Sequence, residues 1–451
     1  MSPAHALKPR LDRIRPALAA LRAFDPVLEV FGADTHHYDL APPLPEETIA
    51  AFERDHRIVL PTEYRAFLAH VVASGAGPYY GLSKLHPRHD AYEPPSPWSD
   101  ELADADADGD PAADSAPPEA RPRPPDPARP FVLQGLYPPR SDVSLPQHHE
   151  PLPAGADPLD GTLHLSEHGC CYLSFLVLNG AHVGEVWDDY RAGGGSIGPT
   201  RLGFLAWYER WLAEAVADAA YNAALEAVLE LEPAVDLRVV EQLPSFDETS
   251  ARHPTWAHGH TRRGFVLVHA RRFAEAEAAF ARALELNAAL AHAQLGLAAN
   301  KAARGDYEGA LALLDRWEDA TYLTRIHVLS LRASVLRAAR DARGARAAEE
   351  AILTRAGKRP FYPIEHAFRL ARARDLDGSY ETLRAAEERL REDGLGGMDE
   401  WLRRLAARCR VKGRADLAEH FEAAAADAEP GTRGADRRGW PTGPIRRHFF
   451  P

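Results

Sequence analysis

The sequence predicts an α+β domain, with helices packed on a mostly antiparallel sheet, followed by an all-α domain of repeated helix pairs. Three observations carry that expectation. Short amphipathic segments around residues 45–71 precede alternating apolar residues after position 160. From about Tyr221 to Ala426 nearly every residue is a helix former, and the apolar pattern repeats. At 451 residues the chain also exceeds what one core ordinarily organises, so two or three domains are expected.

Composition narrows the function classes. The chain is 45% hydrophobic and 26% charged, as in soluble globular proteins, while 37 Pro and 32 Gly predict linker segments. A net charge of -13 disfavours an electrostatic grip on phosphate backbones, so no nucleic acid is expected as partner. Apolar runs such as Phe175 to Leu178 fall far short of the roughly 20 residues of a spanning helix, so no membrane span is expected. Only three cysteines occur, Cys170, Cys171 and Cys409, which supply neither a disulfide framework nor a four-cysteine metal site. A cytoplasmic location fits these features.

Residues 1–24 read as an amphipathic helix, with Leu11, Ile14, Leu18 and Leu21 interleaved among basic residues and no apolar leader region. The α+β domain is placed at 25–220. Within it, Pro45 to His56 begins with Pro, Glu46 and Glu47, and spaces Ile49 and Phe52 for one helical face. A second helix begins near Pro61 and Thr62, with Thr62 as its cap and Tyr64, Phe67, Leu68 and Val71 as its stripe. A Pro- and Asp-rich insertion at about 100–130 has too few large apolar residues to offset its ordering entropy and is expected to be disordered.

Beyond the insertion the period falls to two. Leu163 and Leu165, Tyr172 to Leu178, and Glu185 to Trp187 read as strands, with Cys170 and Cys171 at the core edge of one of them. Phe204, Trp207, Tyr208, Trp211, Leu212 and Ala215 then recur at helical spacing.

The repeats occupy 221–427. Gly264, Ala276, Phe280 and Ala283 return 34 residues later as Ala298, Ala310, Leu314 and Trp317, and a looser copy runs through Ala333, Ala345 and Ile352. A 34-residue period of paired helices is the signature of tetratricopeptide (TPR-like) repeats, which stack into a solenoid with a concave groove. Projection of that frame places His258, Thr261, Phe265, His269, His292 and Leu295 on the groove face. Residues 428–451 form a basic and aromatic tail.

The N-terminal order of elements resembles the SUKH superfamily, the group that includes SMI/KNR-type domains. The resemblance rests on Leu44-Pro45-Glu46-Glu47, Leu60-Pro61-Thr62-Glu63-Tyr64, Tyr79-Tyr80-Gly81-Leu82, Gly169-Cys170-Cys171-Tyr172, Gly184-Glu185-Val186-Trp187 and Phe204-Leu205-Ala206-Trp207-Tyr208, spread over residues 40–216. It implies a SUKH-like α+β fold and a binding role: many bacterial members are thought to be immunity proteins that neutralise toxins, and fungal ones look like signalling scaffolds. The long insertion between Leu82 and Leu163 departs from the pattern.

Several motifs could carry chemistry, and each also has a structural reading. Asp104, Asp106, Asp108 and Gly109 match half of a calcium loop, but its twelfth position is Ser115 and no flanking helix follows. His36-His37 and His148-His149 have no third ligand at helical spacing and read as loop residues, while His253, His258 and His260 are the most metal-like trio. Ser166, Ser174 and Cys171 lack an activating motif. Acidic Glu185, Asp188 and Asp189 around Trp187, with Tyr79 and Tyr80, are the candidate partner-binding residues.

The resemblance therefore implies a bacterial, non-enzymatic immunity or adaptor protein, and no metal or cofactor is expected. Its predicted partner is a protein, such as a polymorphic toxin domain or a helical peptide. An enzyme or regulatory subunit with a site in a cleft between the domains, and a structural scaffold, are the alternatives.

Overall fold

The computed structural model describes residues 3–25, 28, 30–85, 125–137, 152–315, 322–356, 367–368, 370–371, 376–392, 398–411 and 414–427. The Asp104–Gly109 stretch, His148-His149, Trp317 and the tail lie outside these residues. The chain is α+β and divides into two compact units, Met1–Ala23 with Val30–Val216, and Phe24–Glu29 with Ala217–Pro451.

In the first unit, α1 (Pro3–Phe24) buries Leu11, Ile14, Leu18 and Leu21, the stripe expected from their three-and-four spacing. Arg10 of α1 grips Glu209 through two nitrogens, Nε at 3.0 Å and Nη2 at 2.6 Å. The one-turn α2 (Ala33–His36) is followed by α3 (Glu46–His56) and α4 (Thr62–His70). Thr62 does not cap α4: Pro61 takes the cap position and Thr62 is the first helical residue. The ordering contact comes instead from Glu63, whose Oε2 accepts the Leu205 N–H at 3.0 Å.

The sheet is a four-stranded antiparallel meander in the order β1 (Thr162–Gly169), β2 (Tyr172–Val177), β3 (Glu185–Asp189), β4 (Ile197–Gly203). Phe175 of β2 pairs with Trp187 of β3, and both belong to an apolar cluster with Phe131, Leu133, Leu159, Val177 and Ile197. Phe131 and Leu133 thus bring the chain just after the proline-rich stretch into the core. Helix α5 (Phe204–Leu229) starts directly after β4 and continues past Ala215, the last residue of the expected stripe. Its Phe204 and Tyr208 stack edge-on or tilted against Tyr64 and Phe67 of α4 at 4.7–5.0 Å between centroids.

The second unit is helical. After α6 (Leu237–Val240) and α7 (Leu243–Arg252) come three pairs: α8 (Ala257–His269) with α9 (Phe273–Leu286), α10 (Ala291–Ala303) with α11 (Tyr307–Leu314), and α12 (Tyr322–Ala338) with α13 (Ala342–Ala356). Both helices of the first pair begin again 34 residues later. The turn inside each pair is built the same way. Arg271, Gly305 and Arg340 adopt positive φ of 59°, 86° and 65°. The following N–H of Arg272, Asp306 and Asp341 reaches back five residues to the carbonyls of Leu267, Lys301 and Leu336 at 2.9, 3.0 and 2.8 Å. This is the left-handed helix stop with its six-to-one bond, repeated three times.

Small residues let the pairs close. A Cβ on Gly264 would stand 2.5 Å from the Phe280 ring, and one on Gly296 would strike the same ring. Phe280 is fully buried and meets Phe265 edge-on at 5.3 Å. Helices α14 (Leu376–Glu392), α15 (Met398–Val411) and α16 (Ala415–Asp427) follow, with a separate apolar cluster around Phe368, Trp401, Cys409 and Phe421.

Candidate functional site

The first unit holds a chain of buried polar side chains beneath a cluster of aromatic rings. Antiparallel pairing sets Ser174 of β2 opposite Asp188 of β3, so both side chains leave the same face. His168 joins them because the register of β1 shifts between Glu167 and Gly169, and such a bulge re-aims the side chain it carries. The result is continuous. His168 Nε2 lies 2.7 Å from Ser174 Oγ, which donates to Asp188 Oδ1 at 2.6 Å, and Tyr190 donates to Asp188 Oδ2 at 3.4 Å.

Proton placement follows from hydrogen-bond capacity. The single Ser174 hydroxyl proton goes to the carboxylate, so the imidazole of His168 donates its Nε2 proton to Ser174 Oγ. This order is the reverse of a nucleophilic triad, in which the serine donates to the histidine. Ser174 is fully buried, and its oxygen is committed on both sides.

Burial sets the protonation states. Desolvation lowers the His168 imidazole to about 3, with nearby His164 adding to the effect. Desolvation raises the Asp188 carboxyl to about 6, opposed by its hydrogen bonds from Ser174 and Tyr190 and by the charge of Arg210. The Tyr190 phenol is pushed up to about 12 by burial and then by Asp188, and the Tyr79 phenol is raised for the same two reasons.

The rings above this chain are set by the segment Pro78 to Ser83, which runs alongside β1. Ser166 Oγ donates to the Pro78 carbonyl at 2.6 Å, and the Tyr80 and Ser83 amides donate to Glu167 and Leu165 at 3.1 and 2.8 Å. Tyr79 consequently stacks flat on His168, with centroids 3.4 Å apart at 20°. Gly32, at φ 79°, sits so close to the Tyr79 carbonyl that no Cβ fits there, which brings Phe31 against both tyrosines. Phe31 lies 6.5 Å from Tyr79 and 5.4 Å from Tyr80, and is 44% exposed.

Tyr79, Tyr80 and Asp188 therefore come together, whereas the other acidic candidates do not. Trp187 is fully buried between Phe131 and His182 at 5.0 and 5.2 Å and offers no surface to a partner. Asp189 is buried in a forked ion pair with Arg191, Nη2 to Oδ2 at 2.6 Å, and Glu185 accepts from His182 at 3.0 Å. Strand alternation explains the split, since Trp187 and Asp189 face away from Asp188.

Four of the six groove candidates are packed away from the surface. Phe265, Leu295, Thr261 and His269 are buried; Thr261 bonds back to the Ala257 carbonyl, and His269 Nε2 accepts the Asp236 amide at 2.8 Å. His258 and His292 are half-buried, and His292 Nε2 lies 3.2 Å from Nδ1 of His327. His260 reaches the Pro254 carbonyl, and among the described residues no three His, Cys, Asp or Glu side chains converge on a metal position.

Two further expectations differ from the structure. Cys170 and Cys171 do not fill a core edge: both are exposed in the β1–β2 turn, because Gly169 pairs with Tyr172 and leaves them as the two loop residues. His36 is not a loop residue but ends α2, buried against Trp211 at 5.9 Å, its imidazole lowered to about 3 by desolvation. The His168–Ser174–Asp188 chain was missed. Its only trace is polar residues inside apolar strands.

Compared with known proteins, the chain matches no family model and no curated protein.

Proposed function

We propose that the chain is a non-enzymatic protein-binding protein: a SUKH-like first unit that holds a protein partner, joined to a TPR-like second unit. The partner class is a toxin domain that the bound chain neutralises by occlusion. The observation carrying this reading is the Phe31–Tyr79–Tyr80 cluster, a partly exposed aromatic surface held rigid from below by the His168 stack. Rigid aromatic rings are the usual anchors of protein interfaces, since they lose little rotamer freedom on binding.

The TPR-like assignment is supported by the three identical left-handed turns and by the 34-residue return of paired helices. The SUKH-like assignment is supported by the order of α3, α4, the antiparallel meander and α5. An enzymatic reading gains nothing from the polar chain, because its serine hydroxyl is buried and donates to a carboxylate.

The test is co-expression with the products of neighbouring genes, followed by size-exclusion chromatography and toxicity assays. A stable complex with relief of toxicity is expected. Phe31→Ala and Tyr80→Ala should weaken it by about 10-fold or more, in keeping with loss of an aromatic anchor. Full binding by the Phe31→Ala, Tyr80→Ala double variant, or no complex with any neighbouring product, refutes the proposal.

A further inference from the structure

The aromatic cluster extends beyond Phe31 and the two neighbouring tyrosines. Tyr79 continues through the stacked His168 to Tyr190, 5.6 Å from that imidazole, and Tyr190 meets Tyr172 edge-on at 5.3 Å. Phe31 is exposed, and Tyr79, Tyr80, Tyr172 and Tyr190 are half-buried. Asp188 lies under the far end of this row, bonded to the Tyr190 hydroxyl, and because that proton is committed to the carboxylate, Tyr79 donates to the Tyr190 oxygen.

The carboxylate has hydrogen bonds but no counter-ion in contact. Among the described residues, the one basic nitrogen within 4 Å is His168 Nε2 at 3.8 Å, and desolvation keeps that imidazole neutral. Arg210 acts on Asp188 only through its charge, since its Nε donates to Glu214 at 2.8 Å. A buried charge without a partner is costly, so the arrangement favours the arrival of a cation. The two oxygens are also unequal. Oδ1 accepts from Ser174 at 2.6 Å, whereas Oδ2 has only the long 3.4 Å bond from Tyr190 and keeps acceptor capacity. The Asp188 side chain is 16% exposed, which leaves it within reach of a donor from outside.

We propose that this row is the seat of a basic side chain of the protein partner, whose cationic head lies against the Tyr79, Tyr190 and Tyr172 rings and donates to Asp188 Oδ2. The inference rests on the reading of the first unit as a partner-holding domain and names the chemistry of what it holds. Aromatic faces attract a cation, and a hydrogen bond from a charged donor to a carboxylate is roughly twice as strong as a neutral one. The net charge of -13 draws a basic partner toward the chain. Asp188 makes the site sensitive to pH, since its carboxyl, raised to about 6 by desolvation, must be ionised to attract a cation. Its titratable neighbours hold their states around that pH. His168 of β1, with His164 beside it, is lowered to about 3 and stays neutral, and the phenols of Tyr79 and Tyr190 are raised and stay protonated. Tyr172 of β2 faces Tyr190, and Arg210 and Glu214 of α5 hold each other as an ion pair.

The experiment titrates the full chain with the peptide acetyl-Gly-Arg-Gly-amide and with its neutral citrulline counterpart, read by saturation-transfer NMR. The arginine peptide should bind about 10-fold more tightly than the citrulline one, the difference a charge makes at a carboxylate. Its affinity should fall about fourfold from pH 7.5 to pH 5.5, as the ionised fraction of a group titrating at about 6 falls. Asp188→Asn, checked for folding by circular dichroism, should lose both the preference and the pH dependence, and Tyr172→Ala should weaken the arginine peptide about threefold. Equal binding of the two peptides by the parent chain overturns the inference, as does an unaltered arginine preference in Asp188→Asn. The outcome is separable from that of the partner reading. An arginine preference that depends on Asp188 supports the site even if no neighbouring product forms a complex, whereas a complex that Asp188→Asn leaves intact, with no peptide preference, overturns this inference alone.

Discussion

Acid should unfold the first unit through three buried histidines, and the size of the effect follows from their environments. His36, His164 and His168 are held by desolvation at about 3, 4 and 3, against 6.5 for an ordinary imidazole. His36 accepts the Tyr38 amide on Nδ1, His164 meets the Ser83 hydroxyl, and His168 lies between Tyr79 and Ser174. Each has a native value below its unfolded one, so the stability it contributes is present above pH 6.5 and is lost as the pH falls. Asp188 works in the opposite sense. Its native value of about 6 exceeds the ordinary 3.8, so its burial favours the fold most below pH 3.8 and loses that advantage as the pH rises through 6.

At pH 5 the unfolded chain binds about 2.8 more protons on the three histidines than the folded chain, and about 0.85 fewer on Asp188. The net of about two protons corresponds to about 3 kcal/mol of stability per pH unit, or about 6 kcal/mol between pH 7 and 4.5. That is comparable to the whole stability of a typical domain.

The assay is hydrogen exchange by mass spectrometry on peptides from residues 162–189, corrected for the intrinsic pH dependence of exchange. Replacing any one of the histidines by glutamine should remove about 1.4 kcal/mol per pH unit from the slope, and Asp188→Asn should steepen it. A triple glutamine variant as acid-sensitive as the parent would refute the reasoning.

Three further outcomes are expected. Gly296→Ala should destabilise the second unit by about 1–3 kcal/mol in urea unfolding, because its methyl enters the space of the Phe280 ring, and Phe280→Leu should recover part of the loss in the double variant. Arg340→Gly should raise stability by about 1 kcal/mol by thermal unfolding, since it relieves a left-handed residue at a helix stop where Gly305 serves the neighbouring pair. Asp189→Asn should cost about 3–5 kcal/mol in chemical denaturation, because it leaves the Arg191 guanidinium buried beside a neutral amide.

The helices were legible in the sequence because their apolar residues recur at fixed local spacing. The stripe Leu11, Ile14, Leu18 and Leu21 is buried as expected, and α3 begins at Glu46, directly after the proline that announces it. The 34-residue return was legible for the same reason. Features set by register were not. Whether Trp187 or Asp188 faces outward depends on which strands flank β3, and the bulge that turns His168 toward Ser174 leaves no mark in composition. The hairpin at Cys170 and Cys171 was hidden because its turn lacks the Asn and Gly that normally advertise one. The burial of Thr261, Phe265, His269 and Leu295 was hidden for a related reason: helical periodicity identifies an apolar face but does not say which neighbour covers it.

The thrice-repeated stop at Arg271, Gly305 and Arg340 has a kinetic consequence. Each pair is closed by bonds spanning only five residues, so its hairpin can form before any distant part of the chain arrives. The pair carrying Gly305, with Asp306 also capping α11 through the Gly309 amide at 2.9 Å, is the best equipped to form alone. Folding of the helical array should therefore nucleate in its middle and spread toward both ends, leaving the outermost pairs as the first to open under load.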